Sequence, residues 1–329
     1  MDAPVRRRQF IRQAGTVIAG AAAGWWPPAA ARGQVGQPVA PKSRVCLGRA
    51  NSFRLPSGYM DPAVIGWLLD RLITGLTGEA SPQAGWRRYL RLNDRVAVQV
   101  AVTPTPAGLE VVDGVIGRLV RAGLSPDNVM VFAADERDLF AAGYSLRREG
   151  GGVQCYGAAS EGYRRGLTRV LLDRATALIN LAALSPHPQV GLAGAIANYL
   201  NCVPPEEAEQ YLAEGGRRLG EIYGRPFVRD RTRLHLMDCM EATYNLPADG
   251  GPSSRWPYGG IMVAEDPVAL DTLAAAILNT KREQSMGRHW PLEPAPTYLE
   301  ACDTQLGLGR SDRELIELIK TGDQDGALL

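Results

Sequence analysis

A histidine fixed between two prolines and a set of aspartates at element boundaries are the residues of this chain best suited to chemistry. His187 stands in Ser185-Pro186-His187-Pro188. The proline rings restrict the backbone on each side, and an imidazole titrates near neutrality, so the group suits proton transfer to or from a small substrate. A loop histidine that only hydrogen-bonds a carbonyl explains the same segment equally well. Asp238 lies among apolar neighbours, where an unpaired carboxylate is costly, so it is either a site acid or a hydrogen-bonded structural anchor. Asp266 before Pro267 repeats the arrangement of Asp61 before Pro62, a carboxylate cap ahead of a proline in the first helical turn. Asp271 reads as a structural hydrogen-bond partner. His187, Asp238 and Asp266 would offer a metal one nitrogen and two carboxylates, but no short ligand spacing supports this and no metal is predicted. His235 lies three residues before Asp238, so on a strand the two face opposite sides.

These residues matter only if strands bring them together. Val45–Ala50, Arg95–Val102, Val129–Ala133, Val153–Tyr156, Ala177–Leu184, Arg233–Met240 and Ile261–Ala264 are β-favouring or apolar runs. Helices are predicted over Pro62–Thr77, stopping at Gly78, from Thr105-Pro106 to Gly123, over Glu136–Ala142, Val190–Leu200, from Pro204-Pro205, after Asp266-Pro267, and over Asp312–Lys320 behind a Ser311/Glu314 capping box. Alternation of this kind predicts an α/β fold, a mostly parallel sheet with helices on both faces. Ligands of open parallel sheets bind beyond the carboxyl ends of the strands. Thr103, Asp135, His187, Asp238 and Asp266 each follow a strand or lie late in one, and should converge on one rim if every strand is parallel.

Composition narrows the function. Hydrophobic residues make up 45% and charged residues 22%, and the net charge of +1 gives no basic footprint, so nucleic-acid binding is not predicted. Cys46, Cys155, Cys202, Cys239 and Cys302 form no C-x-x-C pair, which removes any local iron–sulfur or zinc motif. They read as buried small hydrophobes, with a single disulfide as the alternative. No G-x-x-x-x-G-K-[ST] phosphate loop, repeated dinucleotide fingerprint or G-x-S-x-G nucleophile elbow occurs, so no cofactor is named. Trp86, Trp256, Tyr258 and Trp290 line a cleft or pack in the core.

The amino terminus carries a compartment signal. Arg7, Arg8, Phe10 and Ile11 fit a twin-arginine export pattern, followed by the uncharged run Ala14–Trp26 and the cleavage-like Ala29-Ala30-Ala31. The thirteen-residue run is shorter than the ~20 residues of a membrane-spanning helix. Residues 1–31 are therefore predicted to be a twin-arginine signal peptide, read by the twin-arginine translocase, with the mature protein periplasmic and without a membrane span. Residues 32–43, rich in Gly, Gln and Pro, form a flexible lead-in. Residues 44–329 form a single large domain.

The segment Met262-Val263-Ala264-Glu265-Asp266-Pro267-Val268-Ala269-Leu270-Asp271 resembles the Asp-Pro-Val-Ala-Leu-Asp block of the family named domain of unknown function 362. Leu236-Met237-Asp238 with Gly251-Pro252, Val111–Gly123, Leu178-Ile179-Asn180 to His187, and Leu306-Gly307-Leu308-Gly309 are also similar, extending the likeness over most of residues 44–320. The resemblance adds Asn198 to the ligand-binding candidates. It also implies three lysines, where this chain has Gln99, Ser185 and Ala197. Losing three point charges should weaken any inherited phosphate or carboxylate site. A more remote likeness to nickel-dependent lactate racemases brings no nickel chemistry, because nothing here matches their cofactor-bearing lysine. Two readings stay open: an exported protein acting on or binding a small polar molecule around His187, Asn198 and Asp238, or a non-catalytic binding or accessory protein.

Overall fold

A computed structural model describes residues 41–144, 150–246 and 253–329. Arg7 and Arg8, on which the predicted export signal rests, and Gly250 and Gly251 lie outside them.

Among the described residues one sheet is built from eight strands: β1 (Ser43–Arg49), β2 (Val96–Val100), β3 (Val129–Ala133), β4 (Gln154–Gly157), β5 (Ala177–Ala183), β6 (Thr232–Asn245), β7 (Ser254–Ala264) and β8 (Ile316–Gly322). Their order across the sheet is β8-β1-β7-β6-β5-β2-β3-β4. Every residue of β2, β3 and β5 is buried, which is why these strands read as unbroken apolar runs. Helices α1 (Pro62–Thr77), α2 (Pro82–Tyr89), α3 (Leu109–Arg121) and α4 (Glu136–Ala141) cover one face, contributing Leu68, Trp86, Val115 and Leu139 to its core. The short α5 (Ala195–Asn198), α6 (Pro205–Leu212), the long α7 (Pro267–Met286) and α8 (Tyr298–Thr304) cover the other with Ile196, Tyr211, Leu270 and Tyr298. The chain is thus an α/β fold with helices on both faces. No helix among the described residues is long and apolar enough to cross a membrane.

Local signals hold where caps are strong. Asp61 accepts from the Ala63 amide, Pro62 opens α1, and Gly78 closes it in the left-handed conformation at φ 73°. Elsewhere the structure corrects the prediction. Strand β7 runs antiparallel to both β1 and β6. It follows β6 after residues 246–253, too few for the dozen or more that a parallel crossover needs. The predicted terminal helix at 312–320 is instead one 3₁₀ turn at Arg313–Leu315 and then β8. Asp312, not Ser311, supplies the cap to the Glu314 amide, while Ser311 bonds Asp303. Ile316–Gly322 instead takes its backbone partners from β1 as a parallel strand, whereas a short lone helix is marginal. Helix α3 begins at Leu109 rather than at Thr105-Pro106, and only Ala195–Asn198 of the predicted 190–200 helix is α-helical. All five cysteines are buried and free, so no disulfide joins them.

Asp266 is the clearest helix cap in the molecule. Its Oδ1 accepts from the Val268 amide at 2.8 Å and the Ala269 amide at 3.0 Å, and its Oδ2 from Ser43 Oγ at 2.5 Å and the Arg310 amide at 2.9 Å. Asp266→Ala removes a cap worth about 1 kcal/mol and leaves further donors without partners, so it should lower unfolding stability by at least ~2 kcal/mol in denaturant titration. A loss below ~0.5 kcal/mol would show that water replaces the carboxylate.

Candidate active site at the strand carboxyl ends

A cavity of about 330 Å³ opens beyond the carboxyl ends of β2, β3 and β5, between them and helices α5 and α6. Thr103, Thr105, His187, Asn198, Asn201 and Glu209 bring polar side chains to it, among apolar groups such as Leu200, Val203 and Leu212. Its size is within the range that holds small ligands.

His187 reaches the cavity from a two-residue ladder in which Pro186 pairs with Leu192 and His187 with Gly191. Gly191 sits at φ 82°, and a Cβ there would run into the backbone of Pro294–Pro296, so only glycine permits this turn. The imidazole Nδ1 accepts from the Gln189 amide at 3.2 Å. Burial holds its pKa below the ordinary 6.5. The ring is therefore neutral at neutral pH, with its proton on Nε2.

The opposite wall depends on Asp271. This fully buried carboxylate on α7 accepts from the amides of Ala195 at 2.6 Å and Ile196 at 3.0 Å and from Tyr298 Oη at 3.2 Å. Gly194 just before α5 is obligatory, because a Cβ would strike the Asp271 carboxylate. Burial pushes Asp271 up to about 7 against the pull of these three donors. Beneath the cavity runs a chain of carboxamides. Asn201 Nδ2 donates to Asn198 Oδ1 at 3.0 Å, Asn198 Nδ2 to Asn180 Oδ1 at 2.6 Å, and Asn180 Nδ2 to the Ala195 carbonyl at 2.8 Å. Gln99 Nε2 donates to the Asn198 carbonyl, and its Oε1 accepts from Cys202 Sγ at 3.2 Å. The three positions at which the resemblance implies lysine gather here: Gln99 under the floor, Ser185 bonded to Thr105 at 3.0 Å, and Ala197 in the lining.

The five predicted rim residues do not all converge. Thr103 and His187 line the cavity, as does Asn198, whose amide protons are already engaged by Asn180 and the Leu181 carbonyl. Asp135 does not line it. Its neighbour Ala134 does, while Asp135 caps α4 at the Arg137 amide and pairs with the Arg137 guanidinium, which holds its carboxyl below the usual range. Asp238 lies on the α3 side of the sheet, accepting from the Gly108 amide at 2.7 Å and the Met240 amide at 2.8 Å. Burial pushes it up to about 6. It therefore anchors the start of α3, a helix whose cap residue Gly108 has no side chain of its own, and forms no dyad with His187. Asp266 sits at the other end of the sheet, because β7 is antiparallel. His235 does face away from Asp238, packed edge-on to Tyr199 and Tyr223, and burial lowers its pKa to about 3. Trp86 and Tyr258 are core residues, Trp256 stacks edge-on to Tyr244 and Tyr258, and Trp290 lies under Arg282. Glu209 and Asn201 went unnoticed in the sequence; their one signal is position on the helical segments after Asn198.

Residues 167–276, one third of the chain, match the family described as a domain of unknown function, DUF362. The match takes in β5, the His187 ladder, α5, β6 and β7, a narrower span than residues 44–320. No curated protein matches the chain. A crystal structure of a protein from Thermotoga maritima, a structural genomics target, aligns over 63% of this chain and 56% of its own at 11% identity, with a TM-score of 0.38. The chain therefore spans little more than half the length of that protein, and a likeness at this level carries no functional conclusion.

The buried, amide-bonded imidazole yields a direct expectation. The ring-proton NMR titration of His187 should give a midpoint below 6.5, since protonation breaks the bond from Gln189 and charges a desolvated ring. The unfolded chain binds that proton more readily, so this group withdraws stability as pH falls below 6.5. A midpoint at or above 6.5 would mean that an anion sits against the ring.

Proposed function

We propose that this protein binds a small polar molecule in the cavity around His187, Thr103 and Asn198. The single observation that carries the reading is the cavity's place at the carboxyl ends of adjacent parallel strands, with a neutral imidazole among its lining. Residues 44–329 act as one domain in this reading. Between turnover and binding alone, the observations favour binding. Among the described residues no carboxylate bonds His187, and Asp238 is engaged by backbone amides on the other side of the sheet. Acid–base chemistry by His187 is the second reading, favoured by its Nε2 proton facing no protein acceptor among the described residues.

A thermal-shift panel of amino acids, polyols, sugars, hydroxy acids and amines tests the binding reading with Ala208→Phe, which fills the cavity from the α6 side. At tenfold its Kd a ligand adds about 1.4 kcal/mol of stability, and that gain should vanish in the filled variant. No compound separating the two proteins would overturn the site. His187→Ala then distinguishes the readings: ligand transformation that persists unchanged in the folded variant removes the acid–base role.

We further propose that the protein is exported by the twin-arginine route and works in the periplasm, on the support of Arg7, Arg8 and the run Ala14–Trp26. Replacing both arginines by lysine should leave the full-length chain in the cytoplasmic fraction. A processed chain appearing undiminished in the periplasm would refute the signal.

A further inference from the structure

The polar groups left free in the cavity are unequal in kind, and the imbalance points to the charge of what it holds. Among the described residues no lysine or arginine lines it, and Glu209 brings its only carboxylate side chain. Glu209 is exposed at the mouth and has no ion pair or side-chain hydrogen bond among the described residues. The backbone amides of Ala195 and Ile196 at the start of α5, which would otherwise favour an anion, are filled by Asp271. Both amide protons of Asn198 go to Asn180 and Leu181, and both of Asn201 go to Asn198 and the Val100 carbonyl. What remains open is acceptor-rich: the Glu209 carboxylate, Asn201 Oδ1 and one lone pair of Asn198 Oδ1, with the Thr103 hydroxyl able to play either part. Among the described side chains of the lining, His187 Nε2–H is the one obligate donor. From these side chains an anion would meet one neutral donor and a like charge, whereas an ammonium group would find acceptors and a countercharge.

We propose that the cavity selects a small cation: one ammonium group on a short aliphatic or hydroxylated body, with Glu209 as the charge-selecting residue and His187 donating to a hydroxyl or carbonyl of the same ligand. This rests on the binding reading above and adds the ligand class. A volume of about 330 Å³ suits a compact amino alcohol rather than a nucleotide.

Three probes sharing one skeleton test it: 4-amino-1-butanol, 1,4-butanediol and 4-hydroxybutyrate, which are cationic, neutral and anionic at neutral pH. Each is titrated into the isotopically labelled full chain, with dissociation constants read from the amide and imidazole shifts of cavity residues. The amine should bind tightest and the acid weakest. Glu209→Gln should weaken the amine about threefold while leaving the diol unchanged, as a partly exposed ion pair predicts, and added salt should reproduce part of that loss. Glu209→Lys should reverse the order of amine and acid. Both changes are at an exposed position, so folding is not at issue. Cavity shifts with the diol or acid binding as tightly as the amine would overturn charge selection and leave the site standing. No cavity shifts with any of the three probes would overturn the site and this inference together.

Discussion

The central strands of this protein are buried on both faces, and that constraint governs nearly every polar side chain near them. Water does not reach β2, β3, β5 or residues 234–240 of β6, so a buried donor or acceptor there needs its partner within the chain, and His235 Nε2 stands out as one with none among the described residues. Asn180, fully buried on β5, is satisfied by Ala195 and Asn198; Gln99 on β2 by Asn198 and Cys202. The carboxamides consequently form a continuous chain beneath the strand ends. A residue in such a chain supports the floor of a site, and its remaining capacity for a ligand is small.

The same economy explains the carboxylates. Asp238, Asp266 and Asp271 are all largely desolvated, and each is held by backbone amides: at Gly108 and Met240, at Val268, Ala269 and Arg310, and at Ala195 and Ile196. A buried acid is tolerable where the free N–H groups of a helix start or a strand bulge converge on it. These three residues join α3, α7 and α5 to the rest of the molecule, and Asp271 in particular ties the longest helix to the wall of the cavity. Outside this arrangement, His187, Thr103 and Glu209 line the cavity.

Some of this was legible from residue types alone. Asp61-Pro62 and Asp266-Pro267 announced helix starts because a carboxylate cap and a fixed φ act within a few residues, and the unbroken aliphatic runs announced strands covered on both sides. The odd spacing of His235 and Asp238 placed them on opposite faces, since strand geometry alternates regardless of partners. The convergence of five rim residues failed at Asp135, which turns back to cap α4, and at Asp266 and Asp238. Asp266 lies after a strand whose direction depends on the short connection from β6; Asp238 faces the side of the sheet where α3 begins. The Ser311/Glu314 spacing was a local signal outweighed by a non-local one, the open edge of β1 that accepts residues 316–322 as a parallel strand.

Sequence alone determined what local chemistry can dictate: the alternation of strands and helices, the capped helix starts, the apolar cysteines, and His187 in a rigid proline frame. Only the tertiary structure decided which polar groups meet. Strand direction, the face on which a side chain emerges, and whether its hydrogen-bonding capacity is already taken are set by residues far away in the chain. His187 and Glu209 share a cavity although 22 positions separate them, while Asp238 and His187 stand apart although strand patterning put both at one rim. The physical reason is that burial energy selects the arrangement of whole faces, and polar side chains must then be satisfied wherever that arrangement leaves them.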